Sequence, residues 1–197
     1  LIKGELNDTQ VTAALIAMKM RGETPAELAG AAEAILSAAK PFIRPDSTVI
    51  DSCGTGGDGS NTMNISTTAA LVAASMGLAV AKHGNRSVSS RSGSADVLES
   101  LKLRVNLDPS DASSQLADNG FCFLFAPHYH PGIKHAMPVR QTLKTRTLFN
   151  LIGPLVNPAR PDAQLLGVYS EEWVQPMAET LQRLGVKRAM VVHGSGL

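Results

Sequence analysis

A chain of 197 residues with 44% hydrophobic and 18% charged side chains can bury a core and lies outside the composition of disordered segments. Its 18 basic and 17 acidic residues give a formal charge of +1, which excludes the broad basic footprint of a nucleic-acid or anionic-membrane binder; any anion recognition is local. Cys53 and Cys122 are too few for a disulfide framework and form no Cys-x-x-Cys pair, and no apolar run approaches the ~20 residues of a membrane span, so a reducing, cytoplasmic compartment is expected.

In chain order, Val11, Ala14, Leu15 and Met18 recur at helical spacing and predict a helix over 9–20. Thr24, Pro25 and Glu27 form a Thr-x-x-Glu start for a second helix, which carries Leu28, Ala31, Ala32, Ile35 and Leu36 and ends near Lys40. Two helices with no strand between them predict a helical domain over 1–45. After Asp46 apolar runs at 48–53, 78–81, 103–105, 121–125, 165–169 and 189–192 alternate with helical patterns at 67–76, 95–102, 110–118 and 171–184. Strands separated by helices predict a mostly parallel sheet flanked by helices. The stretch 128–157 is long for a connection and holds a helical pattern at 136–143; it reads as a helical insertion or hinge that returns to the first helices and splits the larger domain into 46–127 and 158–197. The fold class is α/β, a small α-helical domain plus a larger sheet domain. The chain opens on Leu1-Ile2 and closes on His193-Gly194-Ser195-Gly196-Leu197 inside a loop pattern, so truncation at both ends is expected.

Ligands of open α/β sheets bind where the carboxyl ends of strands lead into helices. Gly54-Thr55-Gly56-Gly57-Asp58 sits there, between an apolar run and a helix starting near Asn64–Thr67, so backbone amides and a helix amino terminus can converge on a phosphate. The spacing is neither a P-loop nor Gly-x-Gly-x-x-Gly, and the glycines alone read equally as a turn of no function. The next loop gathers Lys82, His83, Arg86 and Arg91 among hydroxyls, and no acidic residue occurs from 59 to 95. Adjacent strands would set these loops side by side, which points to a polyphosphate ligand. Such a ligand brings Mg²⁺, with Asp58 and Ser66 as candidate contacts. His128, His130 and His135 lack acidic or thiol neighbours and read as structural rather than metal-binding. Taken alone, Arg140 reads as a solvent-facing side chain; the alternative is a fork for a planar carboxylate. Gly153-Pro154 is turn chemistry that could wall a pocket.

GTGGD followed by NIST, KHGNRSVSS with GSAD, and RTLFNLIGPLVNPAR, in this order and spacing, resemble the anthranilate phosphoribosyltransferase family over essentially the whole chain. The resemblance implies a Mg²⁺-dependent, homodimeric glycosyltransferase of tryptophan biosynthesis. Such an enzyme moves the phosphoribosyl group of 5-phosphoribosyl-1-pyrophosphate (PRPP) to the amino group of anthranilate and releases pyrophosphate. By motif, PRPP contacts fall on Gly54, Gly57, Asp58, Thr62, Asn64, Ile65, Ser66 and Thr67, and on Lys82, His83, Gly84, Asn85, Arg86, Ser87, Val88, Ser89, Ser90 and Ser94. Ser66 doubles as a metal ligand; Gly54, His83, Asn85, Arg140, Gly153 and Pro154 match positions that hold or line the anthranilate site. No covalent nucleophile is implied. The family's acidic Mg²⁺-binding pair follows a His-Gly-x-Gly loop; here His193-Gly194-Ser195-Gly196 is followed by Leu197 alone, so the 197 residues are expected to be inactive by themselves. The alternatives are a pyrimidine nucleoside phosphorylase and a non-catalytic nucleic-acid-binding relative. KHGNR and Arg140 speak against the first, and the near-neutral charge against the second.

Overall fold

A computed structural model describes residues 1–56, 63–87 and 92–194. Two capped helices open the chain. In α1 (Asp8–Arg21) the Gln10 amide donates to Asn7 Oδ1 at 2.9 Å while the Asn7 amide donates to Gln10 Oε1. In α2 (Pro25–Ser37) Thr24 and Glu27 exchange the same pair of bonds, so the capping box legible in the sequence forms as read.

The remaining elements are β1 (Val49–Gly54), α3 (Ile65–Ser75), β2 (Ala79–Gly84), α4 (Ser94–Ser100), α5 (Pro109–Asn119), β3 (Phe121–Phe125), α6 (Ala126–Tyr129), α7 (Met137–Leu143), α8 (Phe149–Ile152), β4 (Ala163–Gly167), α9 (Val174–Arg183) and β5 (Arg188–Val192). The strands form one parallel sheet in the order β3-β2-β1-β4-β5. From β1 the chain winds one way to β2 and β3 and later the other way, from β4 to β5. The topological switch point therefore lies between β1 and β4, where Gly54 pairs in register with Gly167.

Three apolar clusters hold the layers together. Leu15, Leu28 and Ile35 of the first helices share a cluster with Val139 of α7, Leu166 of β4 and Met177 and Leu181 of α9, so the amino-terminal helices and one sheet face have a continuous core. Val49, Ala81 and Cys122 pack with Leu116 of α5; on the opposite face Val80 and Phe123 pack under Ala70 of α3 and Leu98 of α4. Each fully buried Leu contributes about 1.5–3 kcal/mol of transfer free energy.

Three expectations change. The run 103–105 is not a strand: β2 already has β1 and β3 as neighbours, and Lys102 at φ 66 turns the chain so that Leu103 and buried Val105 plug the α4 side as coil. The second strand extends to Gly84 rather than ending at Ala81, because Lys82 and His83, polar in the sequence, are 1% and 7% exposed and belong to the ladder. The fourth strand is Ala163–Gly167 rather than 165–169; Gln164 fits there because its side chain donates to Pro154 O at 2.7 Å and Cys53 Sγ at 3.0 Å.

Candidate active site

Gly54 ends β1 at the switch point, and the carbonyl of Gly167 lies 3.3 Å from where a Cβ on Gly54 would sit. That carbonyl accepts the Thr55 amide at 2.9 Å, while Thr55 Oγ1 accepts the Tyr169 amide at 3.1 Å. Gly56 then turns at φ 66, the left-handed region that glycine enters without steric cost. Gly57, Asp58 and Thr62 lie outside the described residues, as do Val88, Ser89 and Ser90.

α3 begins two residues earlier than its apolar pattern, which places Ile65, Ser66 and Thr67 in its first turn. Asn64 precedes it without capping it, since its carboxamide instead donates to the Ser92 carbonyl at 3.1 Å. One bond thus ties the first loop to the second. The helix's leading amides receive no side-chain cap from Asn64 and stand at the carboxyl edge of the sheet, where the dipole favours an anion.

β2 delivers the second loop. Lys82 is 1% exposed, and its ammonium donates to the Ser52 carbonyl. On the other side of β1, buried Asp51 accepts Asn157 Nδ2 at 2.9 Å; burial raises its carboxyl and the Lys82 charge pulls the other way. The same Asn157 amide donates to Ala81 O at 2.8 Å, so one side chain clips the two loop-bearing strands to the segment after Pro154. Among the described residues no carboxylate forms an ion pair with Lys82, which leaves a buried cation under the loops without a counter-ion in contact.

Gly84 and Ser94 pack edge to edge, with Ser94 Cβ 3.2 Å from a Cβ placed on Gly84. Asn85 is exposed, and its Oδ1 accepts the Arg86 amide at 2.7 Å. The Arg86 guanidinium is engaged by Glu99 and Asp96 of α4, and the Ser87 amide donates to Asp96.

Beside this edge lies a second, less polar wall. The His83 ring meets the His130 ring edge to face at 5.2 Å, and the backbone of Gly153 lies within hydrogen-bonding reach of His83. Burial pushes the imidazoles down to about 3 for His83 and about 4 for His130, so both are neutral at physiological pH. His83 Nε2 has no hydrogen-bond partner among the described residues. Pro154 is buried and presents its carbonyl to Gln164. Arg140 is partly buried rather than fully solvent-facing. Among the described residues its guanidinium lies 5.2 Å from the Phe149 ring centroid, has Met137 Sδ at 3.9 Å as a hydrogen-bond partner, and pairs with no carboxylate. Burial lowers its pKa through desolvation of the guanidinium.

The structure thus groups Gly54, Asn64, Ser66, Thr67, Lys82, Gly84, Asn85 and Ser94 along one strand edge, and His83, Gly153 and Pro154 along the adjoining wall. Arg140 stands on the helix behind Phe149. Asp51, Asn157 and Gln164 do not stand out in the sequence, and His130 stands out only as a structural histidine. Asn157 falls inside RTLFNLIGPLVNPAR and Asp51 just ahead of GTGGD, and those positions are the one hint the sequence offers. Among the described residues no three His, Cys, Asp or Glu gather to hold a metal ion.

The glycosyl transferase family, α/β domain, matches residues 46–197, and its helical bundle domain matches residues 1–39. An anthranilate phosphoribosyltransferase of Idiomarina loihiensis is 95% identical over all 197 residues, which make up 58% of its length. The solved anthranilate phosphoribosyltransferase of Thermus thermophilus superposes with a TM-score of 0.95 at 50% identity, covering 100% of this chain and 59% of that one. That of Saccharomyces cerevisiae in complex with PRPP and Mg gives 0.88 at 34% identity, covering 95% and 53%. The chain therefore spans little more than half the length of the relatives it matches.

Proposed function

The chain belongs to the glycosyl transferase family, and from that premise we propose that the full-length protein transfers the phosphoribosyl group of PRPP to the amino group of anthranilate. The observation that carries the reading is the bond from Asn64 to Ser92, which joins two anion-seeking loops over a helix amino terminus and a buried lysine. Relatives that bear the anthranilate phosphoribosyltransferase name, one of them solved with PRPP and Mg, support it. They lend nothing to the nucleoside phosphorylase or nucleic-acid-binding alternatives.

In this reading the first loop, the α3 amides and residues 82–90 with Ser94 surround the diphosphate. The glycosidic C–O bond breaks, pyrophosphate leaves with the electron pair, and the anomeric carbon accepts the lone pair of the arylamine, which then releases its proton. The barrier falls through stabilisation of the departing charge and alignment of the amine, with no covalent nucleophile. Lys82 places a fixed positive charge under the leaving group. Arg140 offers its fork to the anthranilate carboxylate, Asn85 contacts the acceptor, and His83, Gly153 and Pro154 confine the ring and exclude water. The Ser66 hydroxyl in the first turn of α3 is a hard oxygen donor of the kind that would suit magnesium, and Asp58, outside the described residues, is the further ligand the family resemblance implies. When bound, Mg²⁺ neutralises charge on the pyrophosphate. A homodimer, a cytoplasmic location and the division into helical and sheet domains with a 128–157 insertion belong to the same proposal. No helix among the described residues is long and apolar enough to cross a membrane.

The test is Arg140→Lys in the full-length protein. It keeps the charge and removes the bidentate fork, so KM for anthranilate should rise about 10- to 100-fold, the equivalent of a charged hydrogen bond worth ~1.5–3 kcal/mol. KM for PRPP should hold. An unchanged anthranilate KM, or no anthranilate-dependent pyrophosphate release by the parent, refutes the assignment.

A further inference from the structure

Arg86 lies in the loop that the preceding reading gives to the diphosphate, yet its fork points elsewhere. Nη1 and Nη2 donate to the two carboxylate oxygens of Glu99, each at 2.6 Å, and Nη1 also reaches Asp96 Oδ1 at 3.3 Å. The guanidinium carbon stands 5.8 Å from the centroid of the Phe125 ring at the end of β3. The second oxygen of Asp96 accepts the Ser87 amide at 3.1 Å and the Gly93 amide at 2.7 Å, so one carboxylate gathers both flanks of the loop. These bonds, with the Arg86 charge, hold the Asp96 carboxyl below its ordinary range, and Arg86 does the same for Glu99. One guanidinium is thus shared by two ionised carboxylates, and the cluster carries a net negative charge. A phosphate that approached Arg86 would meet that charge.

We propose that Asp96 and Glu99 are positioning residues for the second loop, and that Arg86 serves the reaction by clasping them rather than by touching the diphosphate. The proposal rests on the assignment of this loop to PRPP. It deepens that assignment by moving Arg86 from ligand contact to support and by adding two acidic residues on α4. The pairs are half-exposed and contribute little to global stability, so their consequence is local: they fix the backbone at Ser87 and Gly93, the described flanks of the loop.

A double-mutant cycle in the full-length protein separates the two roles. For a clasp, Arg86→Ala and Glu99→Ala each raise KM for PRPP by a similar factor, about tenfold for a coupling in the usual range for contacting residues, and the double variant is no worse than either single one. kcat and the thermal midpoint stay near the parent values. If Arg86→Ala weakens PRPP binding while Glu99→Ala leaves it unchanged or tightens it, Arg86 contacts the diphosphate and the proposal fails. Hydrogen exchange at the Ser87 and Gly93 amides decides the clasp with no ligand present. Exchange should quicken in Asp96→Ala, and unchanged protection overturns the clasp. A parent protein that protects these amides yet binds no PRPP would refute the functional reading and leave the clasp standing.

Discussion

Gly93→Ala is the sharpest structural test of the loop architecture. A Cβ at this position would lie 2.3 Å from the Ser87 amide nitrogen, 2.6 Å from the Arg86 carbonyl carbon and 2.9 Å from the Asn85 carbonyl oxygen. All three are backbone atoms, so no side chain can swing aside. Restoring ordinary contact requires the strands of the loop to separate by ~1 Å, a displacement of the size that costs on the order of 10²-fold in rate when it reaches a reacting centre. Separation also strains the Gly93 bond to Asp96 and the Ala95 amide's bond to Asn85 O. Overpacking of this kind costs about 1–3 kcal/mol. The expected result is roughly a 10- to 100-fold loss of PRPP affinity by titration calorimetry, with the core-governed thermal midpoint lowered by only a few degrees. Parent-like affinity in Gly93→Ala would show that the close backbone approach does not organise the site.

Two further outcomes are expected. The His83 and His130 imidazoles, ordinarily titrating near 6.5, are held to about 3 and about 4 in the folded chain, so between those limits the unfolded chain binds more protons and stability falls as pH drops below about 6.5. Each contributes a slope approaching ~1.4 kcal/mol per pH unit in that window. Urea unfolding of His130→Gln should show a shallower loss than the parent from pH 6.5 to 4.5, and equal slopes would contradict the buried neutral pair. Gly30 lies exposed within α2 with no atom within 4 Å of where an added methyl group would sit, so Gly30→Ala should raise stability by about 0.5–1 kcal/mol in the same assay.

The helix start at Thr24 and the alternation of strands with helices were legible in the chain, because each depends on neighbours within four or five residues. The clustering of glycines, hydroxyls and cations in the first two loops was legible for the same reason. Lys82 and His83 read as loop residues in the sequence because polar side chains are mostly exposed. Their burial depends on β3 pairing alongside and on His130, far along the chain, closing over the edge. The 103–105 run misled in the opposite sense, since alternate apolar residues plug a core as coil just as they do in a strand.

Composition and local pattern were enough for the fold class and for the residues that could grip an anion, since capping, turn formation and hydrophobic periodicity are short-range effects. Which of those residues keep their charge available depended on the packed chain. Asn157 reaching Asp51, Gln164 reaching Cys53 and Glu99 occupying the fork of Arg86 all follow from strand register and helix placement, and these juxtapositions have no local signature. Arg140, half-buried against Phe149 with no carboxylate partner among the described residues, and Arg86, engaged by two carboxylates of α4, are the same side chain in the sequence; only their surroundings separate them.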